Sequence, residues 1–326
     1  MELIGTFGPS CNDKDIMIRL FEAGMTGMRL NLSHVGLRDS ADVIGAFHQA
    51  AGRAGVRPRL IIDIQGPELR VDKLRAPAEL VAGDNVILGN GGIPVPGVII
   101  SSLSSGMEIL LDDGTILLMV SSCNAGSANC RILRGGVLTS KKSIAVPDAN
   151  YDPPILTDTD LENLAVAGEY GVSAVLQPFV KSKRDVLTLR RKLSSLNLNN
   201  IKIIAKIENR AGVGTVEELV EYADEICIAR GDLGNDMPLW ELPIAQKEIA
   251  KCCGAKNKPF GVATQMLHSM ISSPVPTRAE INDIFNSVLD GASALFLTGE
   301  TAVGKYPVEA MKHLCKTAEC ARGYCK

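Results

Sequence analysis

Aromatic side chains are scarce in this chain: one Trp, five Tyr and seven Phe among 326 residues, or 4%. A surface that binds nucleic acid by stacking on bases needs more of them. There is no basic run or tail either. Lys and Arg number 34 against 37 Asp and Glu, a net charge of −3, so the electrostatic footprint of a nucleic-acid partner is missing as well. No apolar run reaches the roughly 18–20 residues that span a bilayer, and no membrane association is expected. The opening "MELIGTFGPSC" has no basic segment followed by a long apolar one, so it does not read as a signal peptide. The nine cysteines are odd in number, scattered and without a CxxC pair. Cys320 and Cys325 read as thiols of a frayed end rather than a redox pair. A reduced, cytoplasmic setting is expected in place of a disulfide framework.

What is present is ordinary for a globular protein: 46% apolar and 22% charged residues, over a length that suits one large domain or one large and one small. Short apolar runs at 3–7, 27–32, 59–64, 174–177, 201–206, 225–229, 259–263 and 292–297 predict strands. Between most of them lie stretches of helical period, at 13–23, 40–54, 158–169, 182–193, 213–222, 242–253, 277–289 and 307–322. Thr157, Asp158, Thr159 and Asp160 offer capping oxygens, and Pro307 suits a first helical turn. Eight β/α units with near-continuous apolar strands predict a closed (β/α)8 TIM barrel of the α/β class. A doubly wound sheet is the weaker reading, because no GxGxxG loop follows the first strand.

One interval breaks the alternation. Residues 71–146 are rich in Gly, Ser, Val and Leu, with short alternating runs and a hairpin-type Asp113-Gly114 turn. The expectation is a barrel over 1–70 and 147–326, with a small all-β domain over 71–146 inserted after barrel strand 3. Loops there belong to the face where barrel active sites are built, which suits a lid.

The carboxyl ends of the predicted strands carry the chemistry. Strand 2 ends with Arg29, Asn31, Ser33 and His34; strand 3 with Asp63, Glu68 and Arg70; strand 5 with Lys206 and Glu208. Strand 6 ends with Arg230 and Asp232, strand 7 with Thr264 and Gln265, and strand 8 with Thr298 and Glu300. Each alone could be a cap or a rim salt bridge, but as a set they would converge on one pocket. Burying so many charges there is costly without partners or a ligand. Glu208 and Asp232, from neighbouring strands, are hard oxygen ligands suited to Mg²⁺ or Mn²⁺. Lys206, two residues before Glu208, could stabilise developing negative charge or donate a proton. Asn31, Ser33 and Asp63 suit a monovalent cation, and Arg29 with Arg70 could clamp a phosphate. Gly231 and Gly234 permit close backbone approach, with N–H groups for a carboxylate. A small anion bound through metal is therefore implied.

The segments "TFGPSC", "AGMTGMRLNLSH", "IDIQGPELR", "SKKSIAVP", "AKIENRAGV", "ARGDLG" and "ATQMLHSM", followed by "PTRAEINDIFNSVLDGASALFLTGETAVGKYPVEA", stand in the order found in pyruvate kinases. The chain resembles that family over essentially its whole length, most weakly in the inserted region. The resemblance implies phosphoryl transfer from phosphoenolpyruvate to ADP, giving pyruvate and ATP, beneath a mobile β lid. It implies that Glu208 and Asp232 bind Mg²⁺ or Mn²⁺, that Lys206 stabilises the transferring group and that Arg29 contacts it. Thr264, with the backbone of Gly231 and Asp232, would hold the substrate carboxylate; Thr298 and Glu300 would lie on the enolate-protonation side. Asn31, Ser33, Asp63 and the Ile64 carbonyl would hold K⁺, while His34, Asn31, Arg70 and Lys142 would face the nucleotide. A homodimer formed through barrel faces is expected.

The chain departs from the family pattern in several places. Ile64-Gln65 stand where Thr-Lys is usual, Asn235-Asp236 where Val-Glu is usual, and Pro178 where a serine is usual. The family's C-terminal regulatory domain has no counterpart before the chain stops, so regulation through it is not expected. Two other readings compete: a barrel lyase or aldolase acting on a pyruvate- or phosphoenolpyruvate-like substrate, and a non-catalytic relative. The first has no use for nucleotide-facing residues, and the second predicts decayed metal ligands.

Overall fold

The computed structural model describes residues 1–33, 35–67, 69–112, 114–147 and 154–324. The first three strands are β1 (Glu2–Thr6), β2 (Gly27–Asn31) and β3 (Arg59–Asp63). Seven short strands follow: β4 (Ala78–Leu80), β5 (Asn85–Gly89), β6 (Glu108–Leu111), β7 (Ile116–Asn124), β8 (Ser127–Arg134), β9 (Gly136–Leu138) and β10 (Ile144–Ala145). The chain then runs through β11 (Ala174–Gln177), β12 (Lys202–Ile207), β13 (Glu225–Ala229), β14 (Phe260–Ala263) and β15 (Ala294–Phe296).

Eight of these close a parallel barrel in the order β1-β15-β14-β13-β12-β11-β3-β2, with helices between successive strands. This is the predicted (β/α)8 architecture, with strand ends differing by one or two residues. The interior is filled from alternate positions. Ile4, Ile61, Leu176, Ile204, Cys227 and Phe296 form one buried cluster with Ala174, Ala263 and Ala294. Small residues opposite large ones make the layer fit: a Cβ on Gly261 would lie 2.7 Å from the Phe296 ring.

One predicted helix is two. The segment read as 213–222 begins earlier, at Arg210, because Asn209 caps it by accepting from the Gly212 N–H at 2.7 Å. It breaks at Thr215, whose hydroxyl donates to the Lys181 and Ala211 carbonyls, and resumes as Val216–Tyr222. A hydroxyl that satisfies carbonyls of the preceding turn competes with the helical ladder.

The chain divides into two compact units, one of Met1–Gly66, Leu156–Leu233 and Trp240–Lys326, the other of Pro67–Ile155 and Gly234–Leu239. The second holds an antiparallel sheet in the order β10-β6-β7-β8-β5 and the pair β4-β9. Leu111 faces Ile116 across the β6–β7 hairpin, whose connection carries Gly114 at φ +79°. Its own core includes Leu88, Ile109, Leu118, Val120, Cys130 and Ile132. It is not the purely β domain expected from sequence: Gly97–Ser102 is a helix whose Ile99 and Ile100 are buried in that core. Six residues are too few for the periodic pattern that reveals a helix in sequence.

Candidate active site

Strand periodicity places the central charges. Ile61 and Ile204 point into the barrel, so Asp63 and Lys206, two residues further on, point the same way, just beyond the apolar filling. They meet there. Lys206 Nζ lies 3.1 Å and 3.3 Å from the two Asp63 carboxylate oxygens, and Arg29 reaches the same carboxylate through Nε at 2.8 Å and Nη2 at 2.6 Å. The Asp63 side chain is only 3% exposed. Burial alone would raise its pKa, but Lys206 and then Arg29 outweigh that and hold it below the usual aspartate range. Burial would likewise lower the Lys206 ammonium, but Asp63 and Glu208 keep it above the ordinary lysine range. Asp63 and Glu208 thus favour the charged form of Lys206. Of its two sequence-level roles, this favours charge stabilisation over proton donation.

Glu208 follows just past the end of β12 and is buried. One oxygen accepts from the Phe179 N–H at 2.8 Å. The other, Oε1, lies 2.8 Å from Lys206 Nζ as an ion pair, yet receives no aligned hydrogen bond. Burial pushes the carboxyl up, Lys206 pulls it down, and the negative charges of Asp232 and Asp63 push it up again, to about 7. Asp232 stands on the short helix Arg230–Asp236 that begins as β13 ends.

Thr264, just past β14, has φ +72°, and Gln265 beside it has φ +54°. A β-branched residue in the left-handed region is strained by about 1–3 kcal/mol and persists only where neighbours hold it. Its hydroxyl donates to the Ala263 carbonyl at 2.6 Å and accepts from the Gly231 N–H at 2.7 Å. The Gly231 N–H expected to face a substrate carboxylate is therefore engaged by Thr264. On the last strand end, the buried Glu300 accepts from Leu267 N–H at 3.0 Å and Thr298 N–H at 2.8 Å, with the Thr298 hydroxyl at 3.3 Å. Glu300 thereby ties the loop after β14 to the loop after β15.

Of the remaining sequence candidates, Asn31 stands beside Asp63 in the β2–β3 register. Asn31 Oδ1 accepts from the Ser33 N–H at 3.1 Å, and Ile64 is buried with its N–H on the Leu176 carbonyl at 3.3 Å. In the second unit, Lys142 pairs with Asp112 at 2.6 Å, and Arg70 donates to the Lys141 carbonyl at 2.7 Å. His34 and Glu68 lie outside the described residues.

The pyruvate kinase barrel-domain family model matches residues 1–311. The chain belongs to the pyruvate kinase family. It is 38% identical over 329 residues to a pyruvate kinase of Geobacillus stearothermophilus, covering 97% of this chain and 56% of that protein. A Bacillus licheniformis pyruvate kinase is 37% identical over 95% of this chain and 55% of its own length. One from Thermococcus litoralis is 37% identical over 99% of this chain and 70% of its own. The chain thus spans little more than half the length of the first two pyruvate kinases.

A divalent cation fits the residues present. Glu208 and Asp232 supply hard oxygens from adjacent strand ends, and the buried Glu208 Oε1, 2.8 Å from Lys206 Nζ, accepts no aligned hydrogen bond. Among the described residues no three of His, Cys, Asp and Glu gather into a metal-binding group, so other positions would fall to substrate and water. The K⁺ set fits less well, since the Asp63 carboxylate is already shared by Arg29 and Lys206.

Three supporting groups were not singled out in the sequence. Asp160, read only as a cap, is fully buried and accepts from Thr157, Gln65 and Gly66 N–H groups at 2.9, 2.8 and 3.0 Å. It fixes both a helix start and the loop after β3. The Phe179 N–H holds Glu208 from a left-handed conformation, φ +51°. Asp283 pairs with Arg230 at 2.7 Å. The "TDTD" run carried a signal for Asp160; a backbone N–H and a helix carboxylate 53 residues from its partner carried none.

Proposed function

We propose that this chain transfers phosphoryl from phosphoenolpyruvate to ADP, giving pyruvate and ATP, in the cytoplasm as a glycolytic enzyme. The observation that carries this reading is the buried Arg29–Asp63–Lys206–Glu208 cluster at the ends of the barrel strands. Phosphoryl transfer requires positioning and neutralisation of charge more than covalent chemistry, and the cluster offers fixed cations beside carboxylates.

In this reading Asp63 holds Lys206 ionised and both Lys206 and Arg29 in place, so that both meet the negative oxygens of the transferring group without reorganising. Glu208 and Asp232 would hold Mg²⁺ or Mn²⁺. When bound, that ion neutralises phosphate and carboxylate oxygens of the substrate. Thr264 and the Gly231–Asp232 backbone orient the substrate carboxylate, for which the Gly231 N–H must exchange its bond to the Thr264 hydroxyl. The Thr298 hydroxyl, held by Glu300, stands on the side where the enolate takes its proton. Asn31, His34, Arg70 and Lys142 are assigned to ADP, with residues 71–146 as the lid. K⁺ at Asn31, Ser33, Asp63 and the Ile64 carbonyl is part of the proposal, as is a homodimer through barrel faces.

A coupled assay of pyruvate release from phosphoenolpyruvate and ADP, with Mg²⁺ and with or without K⁺, tests the reading. Turnover that requires the divalent ion and is lost in Lys206→Met is expected. No turnover by the intact chain would remove the reading, and full activity in Lys206→Met would remove Lys206 from its role.

A further inference from the structure

Arg230 forms more contacts than a rim ion pair requires. Its side chain is 11% exposed. Nη1 donates to Asp283 at 2.8 Å, Nε and Nη2 donate to the Thr264 carbonyl at 3.3 and 2.9 Å, and Nη2 lies 3.0 Å from Met266 Sδ. The next residue, Gly231, gives its N–H to the Thr264 hydroxyl at 2.7 Å. Two consecutive residues at the end of β13 thus grip Thr264 from both ends, carbonyl and side chain. Thr264 is the residue whose left-handed backbone needs such restraint.

We propose that Arg230 is a positioning residue: its guanidinium, braced by Asp283, holds the Thr264 carbonyl and so fixes where the Thr264 hydroxyl stands. The functional half rests on the phosphoryl-transfer reading above, in which that hydroxyl orients the substrate. A guanidinium suits the task because its planar fork reaches a carbonyl and a carboxylate together. A lysine ammonium at this place reaches one or the other. If Arg230 were merely one half of an ion pair, its loss would lower stability and leave Thr264 where it is.

The test uses Arg230→Met, Arg230→Lys and Asp283→Asn in the intact chain, with crystal structures, melting temperatures and steady-state kinetics. In Arg230→Met, Thr264 is expected to relax to negative φ and release the Gly231 N–H. kcat should fall about a hundredfold, the scale of a small misplacement of a reacting group, with the KM for ADP unchanged. Arg230→Lys should recover part of that loss, and Asp283→Asn should cost less than Arg230→Met. Thr264 remaining at positive φ in Arg230→Met, or kcat within about twofold of the parent while only the melting temperature drops, overturns the proposal. If Arg230→Met does not fold, Arg230→Lys carries the same two readouts. Absence of turnover in the parent chain would count against the phosphoryl-transfer reading alone, because the conformation of Thr264 is read independently of activity.

Discussion

Replacing Asp63 by Asn tests the charge arrangement at the centre of the barrel without reference to activity. The carboxylate meets Arg29 at 2.6 Å and Lys206 at 3.1 Å, with all three side chains 15% exposed or less. At an effective dielectric constant of about 20, each contact has a gross attraction of about 5–6 kcal/mol. Desolvating three ions offsets most of that, several kcal/mol apiece. Taking away the central anion leaves a net positive charge: two buried cations remain, repelling one another, with Glu208 as the near anion. The expected loss is about 3–5 kcal/mol, the range for breaking a buried pair from one side, and a large fraction of a typical domain's stability. Arg29→Met alone should cost less, since Asp63 keeps Lys206. Combining the two should cost clearly less than their sum, because the second change removes one of the stranded charges. Urea denaturation of the single and double variants, followed by circular dichroism, measures each value. A loss below about 1 kcal/mol in Asp63→Asn, or strict additivity in the double variant, would refute the reasoning.

Four further outcomes are expected. In chelator, the Glu208 carboxyl, raised from 4.5 to about 7, favours its neutral form in the folded state, so its contribution to stability is full below 4.5 and lost as pH rises to about 7. The loss is about 3 kcal/mol, absent in Glu208→Gln, and is read from denaturation curves across that window. Asp63 acts in the opposite sense: depressed in the fold, it supports the structure above the ordinary aspartate range and loses that support as pH falls through its folded value. Brief alkylation at pH 8 should label the exposed Cys320 before Cys11, Cys227 and Cys253, which are buried and whose thiols burial raises to about 12. Mass spectrometry of peptides checks this order, and early labelling of Cys227 would contradict a closed barrel interior. Gly66→Ala places a Cβ 2.4 Å from Pro178 Cγ at φ +58°, which should cost about 2–4 kcal/mol. Pro178→Ala in the same chain should return the steric part of that loss and leave the backbone part, as a thermal melt would show.

Much of the fold was legible because a barrel repeats one unit. Each strand is buried on both faces and so reads as an unbroken apolar run, and each helix shows a period of its own. The ends of those runs also marked Arg29, Asp63, Lys206, Glu208, Asp232, Thr264 and Glu300, since a charged or polar residue closing an apolar strand stands out in any sequence. Short elements escaped. The helix Gly97–Ser102 and the break at Thr215 arise from packing and from one hydroxyl, neither of which leaves a periodic signal.

The sequence by itself determined which charged and polar residues close the apolar runs and the order in which the strands present them. Only the tertiary structure decided their states. Asp63 was one oxygen donor among several until the barrel closed Arg29 and Lys206 onto it. Arg230 was a charge beside a glycine until Thr264 turned left-handed within its reach. Protonation and strain depend on distances of a few ångströms between residues far apart in the chain, and those distances exist only once the sheet has closed on itself.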